Sequence, residues 1–132
     1  MKFHHIGVAT YNINDSISKY LLLGYNQTTV IYFDSIQNVK ITFMEKNNSP
    51  MIEFVEPVDE KSPILNTLTK NGTIPYHFCF EVDDIHIEVE KLKKNKFILI
   101  SKIVPAVAFN NRLVCFLYSK ESGLIELLNK LR

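Results

Sequence analysis

The sequence predicts an α+β fold, in which two βαβββ modules form a curved, eight-stranded mixed sheet around a cleft. Two repeated motifs support this prediction. The segment HHIGVATYNI, which begins at His4, returns as YHFCFEVDDI from Tyr76, and PMIEFV around Glu53 returns as GLIELL around Glu126. Apolar positions between these anchors also recur in step. Self-similarity at a fixed offset is the signature of a duplicated fold.

The first repeat contains every element of a βαβββ module. The opening FHHIGVA is short and apolar at alternate positions, which predicts a strand. Asn12 or Asn14 can cap the helix that follows, and Gly24 ends it. The three strands that complete the module are predicted near 27–34, 38–45 and 50–57.

The second repeat has the same order. A strand over 75–82 precedes a helix that Asp83 or Asp84 can cap. The remaining strands are predicted near 97–104, 112–119 and 123–129. Between the repeats, VDEKSPILNTLTKNGT departs from the pattern, since it contains a Ser-Pro helix start and a short helix that ends at Asn71 and Gly72.

The length of 132 residues indicates one domain, 1–132, large enough to bury a shared core. We expect it to consist of repeats 1–60 and 75–132 with a connector at 61–74. A net charge of +1 indicates no nucleic-acid or anionic membrane partner, and no apolar stretch is long enough to span a bilayer. Both cysteines lie in apolar runs, which is typical of buried thiols in a reducing compartment. We therefore expect a cytoplasmic protein that acts on a small molecule.

Two histidines and two glutamates occupy matching places in the repeats. His5 and His77 are 72 positions apart, and Glu53 and Glu126 are 73 apart. Each glutamate stands in an apolar run, where a lone ionised carboxylate is costly to bury unless it is paired or metal-bound. Singly, such residues are usually core or surface groups, but their joint recurrence favours a common role. Two imidazoles and two carboxylates suit a divalent metal.

Neighbouring candidates are less favoured. His4 and His5 point to opposite faces of a strand, and only His5 aligns with His77. Three further glutamates lack an acidic counterpart in the other repeat and are expected to be surface groups or hydrogen-bond acceptors: Glu45, Glu56 and Glu81.

The motifs HHIGVATYNI, MIEFVEP, IPYHFCFEVDDI and GLIELL resemble the vicinal oxygen chelate superfamily, which includes glyoxalase I, methylmalonyl-CoA epimerase, extradiol dioxygenases and bleomycin-resistance proteins. The resemblance covers essentially the whole chain, and EPVDEKSPILNTLTKNG is most similar to the epimerase branch. It implies that a divalent ion, namely nickel, cobalt, zinc or manganese, is held by four residues: His5, Glu53, His77 and Glu126.

The resemblance also implies a reaction. We expect an isomerase that removes and returns a proton next to a carbonyl or thioester through a stabilised enolate, either epimerase-like or a glyoxalase I-like (lactoylglutathione) lyase. Glu126, alone or with Glu53, would carry the proton. The substrate would be a small molecule such as a CoA or glutathione thioester, and relatives of this kind commonly form homodimers.

The loop VPAVAFNNRLV, from Val104 to Val114, departs from the epimerase pattern, in which a Gly-Ala-His-Gly-like segment stands there. Asn111 and Arg112 could bind a substrate carboxylate or phosphate. The alternative is an Asn-Asn hairpin turn beside a surface arginine.

Two other functions compete with the isomerase. One is a small-molecule or antibiotic-binding protein of the bleomycin-resistance kind, which would not need four ligands. The other is an extradiol dioxygenase, in which Glu53 would fill the position that oxygen needs.

Overall fold

The computed structural model describes residues 1–131, which contain three α-helices and ten strands. The predicted α+β class is confirmed. The strands are β1 (Lys2–Ala9), β2 (Asn26–Gln27), β3 (Tyr32–Asp34), β4 (Val39–Glu45), β5 (Ile52–Pro57), β6 (Ile74–Val82), β7 (Ile98–Leu99), β8 (Val104–Ala106), β9 (Arg112–Ser119) and β10 (Gly123–Asn129). The helices are α1 (Ile13–Leu22), α2 (Leu65–Asn71) and α3 (Ile85–Lys94), with a 3-10 turn at Val107–Phe109.

The chain divides into two compact units. The first unit is His5–Tyr76, and the second contains Met1–His4 and the chain from His77 onward. No helix within residues 1–131 is both long enough and apolar enough to cross a bilayer.

In the first unit the strand order is β2, β4, β5, β1, with β3 also paired to β4. Strands β1 and β5 are parallel, whereas β4 and β5 are antiparallel, so the sheet is mixed. Helix α1 begins after Asn12, whose side chain accepts a hydrogen bond from the Asp15 amide. The Ile13 amide donates to Glu56 Oε1 over 2.8 Å, which fixes the start of the helix to β5.

The second unit repeats this arrangement. The order is β6, β10, β9, β7, with β8 also paired to β9, and the parallel pair is β6 and β10. Asp84, one of the two predicted caps, accepts from the His86 and Ile87 amides. The Ile85 amide donates to Asn129 Oδ1 over 2.8 Å, as Ile13 does to Glu56.

The strand count differs from the eight that the sequence predicts. Residues 27–34 contain the end of β2 and all of β3, and residues 97–104 contain β7 and the start of β8, with a break inside each predicted strand. In the first break the Phe43 amide donates to Thr29 Oγ1, and in the second the Phe116 amide donates to Ser101 Oγ. A side chain thus takes the place of a ladder carbonyl, and regular strand pairing stops there.

Candidate metal centre

In the first unit, His5 and Glu53 form a buried pair. His5 lies on β1 and is 0% exposed, and Glu53 lies on the parallel neighbour β5 and is 2% exposed. The register sets Glu53 opposite Gly7, two residues beyond His5 and therefore on the same face of the strand. His5 Nε2 lies 3.4 Å from Glu53 Oε1.

In the second unit, His77 and Glu126 form an equivalent pair. His77 lies on β6 and Glu126 on the parallel neighbour β10, and both are buried. Glu126 stands opposite Cys79, again two residues beyond the histidine. His77 Nε2 lies 3.3 Å from Glu126 Oε1. The sequence repeat is therefore also a repeat of register, burial and separation.

A phenylalanine accompanies each pair. Phe43 is the register partner of Glu53, and its ring makes a T-shaped contact with His5, with centroids 5.5 Å apart. Phe116 is the register partner of Glu126, and its ring contacts His77 in the same way at 5.2 Å. The sequence pattern aligns these two rings but does not show that they contact the histidines.

The donor sets fit a divalent cation. A strong hydrogen bond between a charged nitrogen and a carboxylate spans about 2.7–2.9 Å, so separations of 3.3 and 3.4 Å are long for one. Two ligand atoms about 2.1 Å from one ion, at an angle of about 90–110°, lie about 3.0–3.4 Å apart. Neutral imidazole nitrogen and carboxylate oxygen also suit borderline divalent ions. Each pair could thus supply two ligands.

Cys115 lies on β9, and its register partner Leu127 is the residue after Glu126. Burial, together with the negative charge of Glu126, raises the pKa of its thiol to about 12. The sulfur is therefore protonated at neutral pH, and a protonated thiol is a poor ligand and nucleophile.

Arg112 has protein partners that sequence reasoning missed. Its Nε donates to the Asn129 carbonyl over 2.7 Å, and its Nη2 donates to Glu81 Oε2 over 2.5 Å. This hydrogen bond lowers the pKa of the Glu81 carboxyl. The sequence does not predict the contact between Arg112 and Glu81, because this contact depends on how β6, β10 and β9 align.

The Asn-Asn turn that the sequence analysis offered as an alternative is present. Asn110 and Asn111 both adopt positive φ, and the Asn111 amide donates to the Ala106 carbonyl over 2.9 Å. A substrate contact by Asn111 or Arg112 stays a prediction.

The fold agrees with comparisons to known proteins. A sequence profile of the Glyoxalase/Bleomycin resistance protein/Dioxygenase superfamily matches residues 4–116, and the chain belongs to this superfamily.

Within that class the chain is similar to methylmalonyl-CoA epimerases. It is 31% identical to the mitochondrial methylmalonyl-CoA epimerase of Dictyostelium discoideum, over 98% of this chain and 78% of that protein. Among solved structures, the hypothetical protein BH1468 from Bacillus halodurans C-125 is 30% identical, with a TM-score of 0.86 over 99% of this chain and 95% of that one.

A variant of Streptomyces coelicolor methylmalonyl-CoA epimerase, solved with 2-nitronate-propionyl-CoA, shares the fold. Its TM-score is 0.84 at 18% identity, over 100% of this chain and 99% of that one. The expectation of an epimerase-type enzyme is confirmed by the similarity to the Dictyostelium discoideum epimerase.

Proposed function

We propose that the chain is a divalent-metal-dependent epimerase that acts on the carbon next to a thioester carbonyl, with methylmalonyl-CoA or a close analogue as substrate. The observation that supports this most directly is the duplicated, buried His-Glu pair. The pairs agree in register, and their Nε2 to Oε1 separations differ by only 0.1 Å (3.4 and 3.3 Å). Similarity to methylmalonyl-CoA epimerases supports the substrate class.

In this proposal four side chains hold one ion: His5, Glu53, His77 and Glu126. A bound divalent ion would draw electron density from the substrate carbonyl and acidify the neighbouring C–H. The two histidines supply neutral nitrogen donors, and the two carboxylates offset the charge of the cation. The ion would be nickel, cobalt, zinc or manganese.

The glutamates move the proton. Epimerisation takes a proton from one face of a carbon and returns one to the other face, so it needs two proton carriers or one that can reach both faces. Glu126 would accept the substrate proton, alone or with Glu53 as the second carrier. Both carboxylates lie in apolar strands and are at most 3% exposed, so they would exchange protons with bulk water between turnovers rather than during a transfer.

Asn111 and Arg112 complete the proposed substrate contacts. Arg112 is half-buried and already held by Glu81 and Asn129, so its guanidinium is fixed in place rather than free to swing.

The proposal also includes a homodimer and a cytoplasmic location.

The decisive experiment combines metal analysis with solvent-deuterium exchange. We expect the purified protein to contain a divalent metal and to incorporate deuterium at C2 of methylmalonyl-CoA. The methylglyoxal-glutathione hemithioacetal is the comparison substrate, because exchange there and not with the CoA ester would select the glyoxalase I-like reaction. The proposal would be refuted if the protein bound no divalent metal, or if it incorporated deuterium into neither substrate.

A further inference from the structure

In each unit a hydroxyl group holds the phenylalanine of the site. The Phe43 amide donates to Thr29 Oγ1 over 3.1 Å, and the Phe116 amide donates to Ser101 Oγ over 2.8 Å. Thr29 and Ser101 are 72 positions apart, the same offset that relates His5 to His77. The arrangement is thus part of the repeat and occurs once in each half of the chain.

The backbone around each hydroxyl is also the same. The Thr28 amide donates to the Phe43 carbonyl, and the Ile100 amide donates to the Phe116 carbonyl, both over 3.0 Å. Each phenylalanine therefore bonds through its carbonyl to backbone and through its amide to a side chain. Local departures from regular strand pairing, such as bulges, re-aim the side chains next to them and are frequent beside active sites.

The side chains that these breaks support are the rings that contact the imidazoles. The planes of Phe43 and His5 meet at 79°, and those of Phe116 and His77 meet at 82°. A T-shaped contact is a favoured geometry for a ring pair, so each phenylalanine restricts rotation of the imidazole about its last side-chain bond. That rotation decides where Nε2 points.

We infer that Thr29 with Phe43, and Ser101 with Phe116, are positioning residues that orient His5 and His77 as cation ligands. This inference rests on the proposed function, since it assigns a role to residues that do not themselves bind the ion. Groups that orient a metal ligand commonly change metal affinity 10- to 100-fold when they are removed. If a ring only filled space, its replacement would change folding stability and leave the affinity for the cation unchanged.

The test is a cobalt titration of the whole chain, followed by visible absorption. We expect Phe116→Leu to weaken cobalt binding about 10-fold or more and to shift the absorption bands, because a rotated imidazole changes the ligand geometry. Ser101→Ala should change the cobalt affinity and the absorption bands in the same direction but by less. Ser101→Thr, which keeps the hydroxyl, should leave both at the parental values. The matched control is Phe97→Leu, since Phe97 is also partly buried in the second unit but packs on the hydrophobic cluster beside α3.

Thermal unfolding of the metal-free variants separates positioning from packing. Phe97→Leu should lower the melting temperature and leave the affinity and the bands unchanged. If Phe116→Leu binds cobalt with parental affinity and spectrum, or if Phe97→Leu loses as much affinity, the inference is wrong while the proposed function stands. If the parent protein binds no cobalt or other divalent ion, the proposed function fails and this inference falls with it.

Discussion

At the scale of single residues, Glu126 carries the strongest prediction. A proton carrier that is replaced by an isosteric amide can still offer an oxygen ligand but can no longer accept a proton. Glu126→Gln should therefore retain metal and lose about 10²- to 10⁴-fold in the rate of deuterium exchange. Exposed Glu121, two residues before β10, provides Glu121→Gln as the control. Parental exchange rates in Glu126→Gln would transfer the role to another residue.

Glu81 makes a second residue-scale prediction, which concerns stability. Its pKa is lowered from the usual 4.5, chiefly by the hydrogen bond from Arg112. A lowered pKa means that the ion pair stabilises the fold above the ordinary pKa of the carboxyl and loses this contribution as the pH falls through the lowered value. The pair is partly exposed, so its contribution is modest.

We expect Glu81→Gln to lower the free energy of unfolding by about 1 kcal/mol at pH 7, measured by urea denaturation. The difference from the parent should shrink as the pH falls below 4.5 and through the lowered pKa of the parent carboxyl, because the parent side chain then loses its charge as well. A difference that persists unchanged at low pH would assign the effect to packing rather than to charge.

The sequence could predict which residues form the His-Glu pairs but not which residues support them. Repetition makes the site residues stand out. A charged side chain in an apolar run can occur once by chance, but its recurrence at the matching position of the second repeat is improbable as chance. The residues that meet this condition are His5, Glu53, His77 and Glu126. Arg112 and Glu81 lack this signal, since neither has a charged counterpart at the matching position of the first repeat. Their contact depends on strand alignment, which no pattern of residue types specifies.

At the scale of elements, the sequence limits the N-cap of helix α3 to two residues but does not decide between them. Asp83 and Asp84 were equal candidates for the cap, and the structure selects Asp84, whose carboxylate accepts from the amides of His86 and Ile87. Asp83 is 92% exposed and pairs with Lys130 at 3.6 Å. Two adjacent aspartates cannot be distinguished by residue type. Only the path of the backbone into the helix determines which of them caps it.

Asp84→Ala should therefore destabilise the protein by about 1 kcal/mol, the usual loss when an N-cap side chain is removed. Asp83→Ala removes the same group one residue earlier and should change the free energy of unfolding by less than half as much. Thermal or urea unfolding of both variants in the same buffer measures the difference. Equal losses would show that the cap contributes nothing specific to α3.

The broken strands are the other lesson at this scale. Residues 27–34 and 97–104 have the composition of continuous strands, yet each is interrupted. The cause is one hydroxyl in each, Thr29 and Ser101, which accepts an amide proton that a regular ladder would direct to a carbonyl. Threonine is itself a good strand former, so propensity alone hides the break.

At the scale of the whole molecule, duplication decides what kind of cation site the chain can make. Each half contributes a buried nitrogen and a buried oxygen at the same register. One half alone offers two ligands, which is fewer than the three or four that catalytic divalent sites take from protein. The proposed function, in which one ion has four protein ligands, therefore requires both halves to serve that ion.

This leads to a prediction about stoichiometry. Metal titration of the parent should end at one ion per chain, and His5→Ala and His77→Ala should each weaken the binding of that ion rather than leave one ion bound at parental affinity. The control is His86→Ala, which removes an exposed imidazole on α3 and should leave the titration unchanged. Two ions per chain, or one ion retained at full affinity in either histidine variant, would mean that each pair binds its own cation. The carboxylates would then belong to separate centres, and a proton taken by one could not be returned by the other to the same carbon.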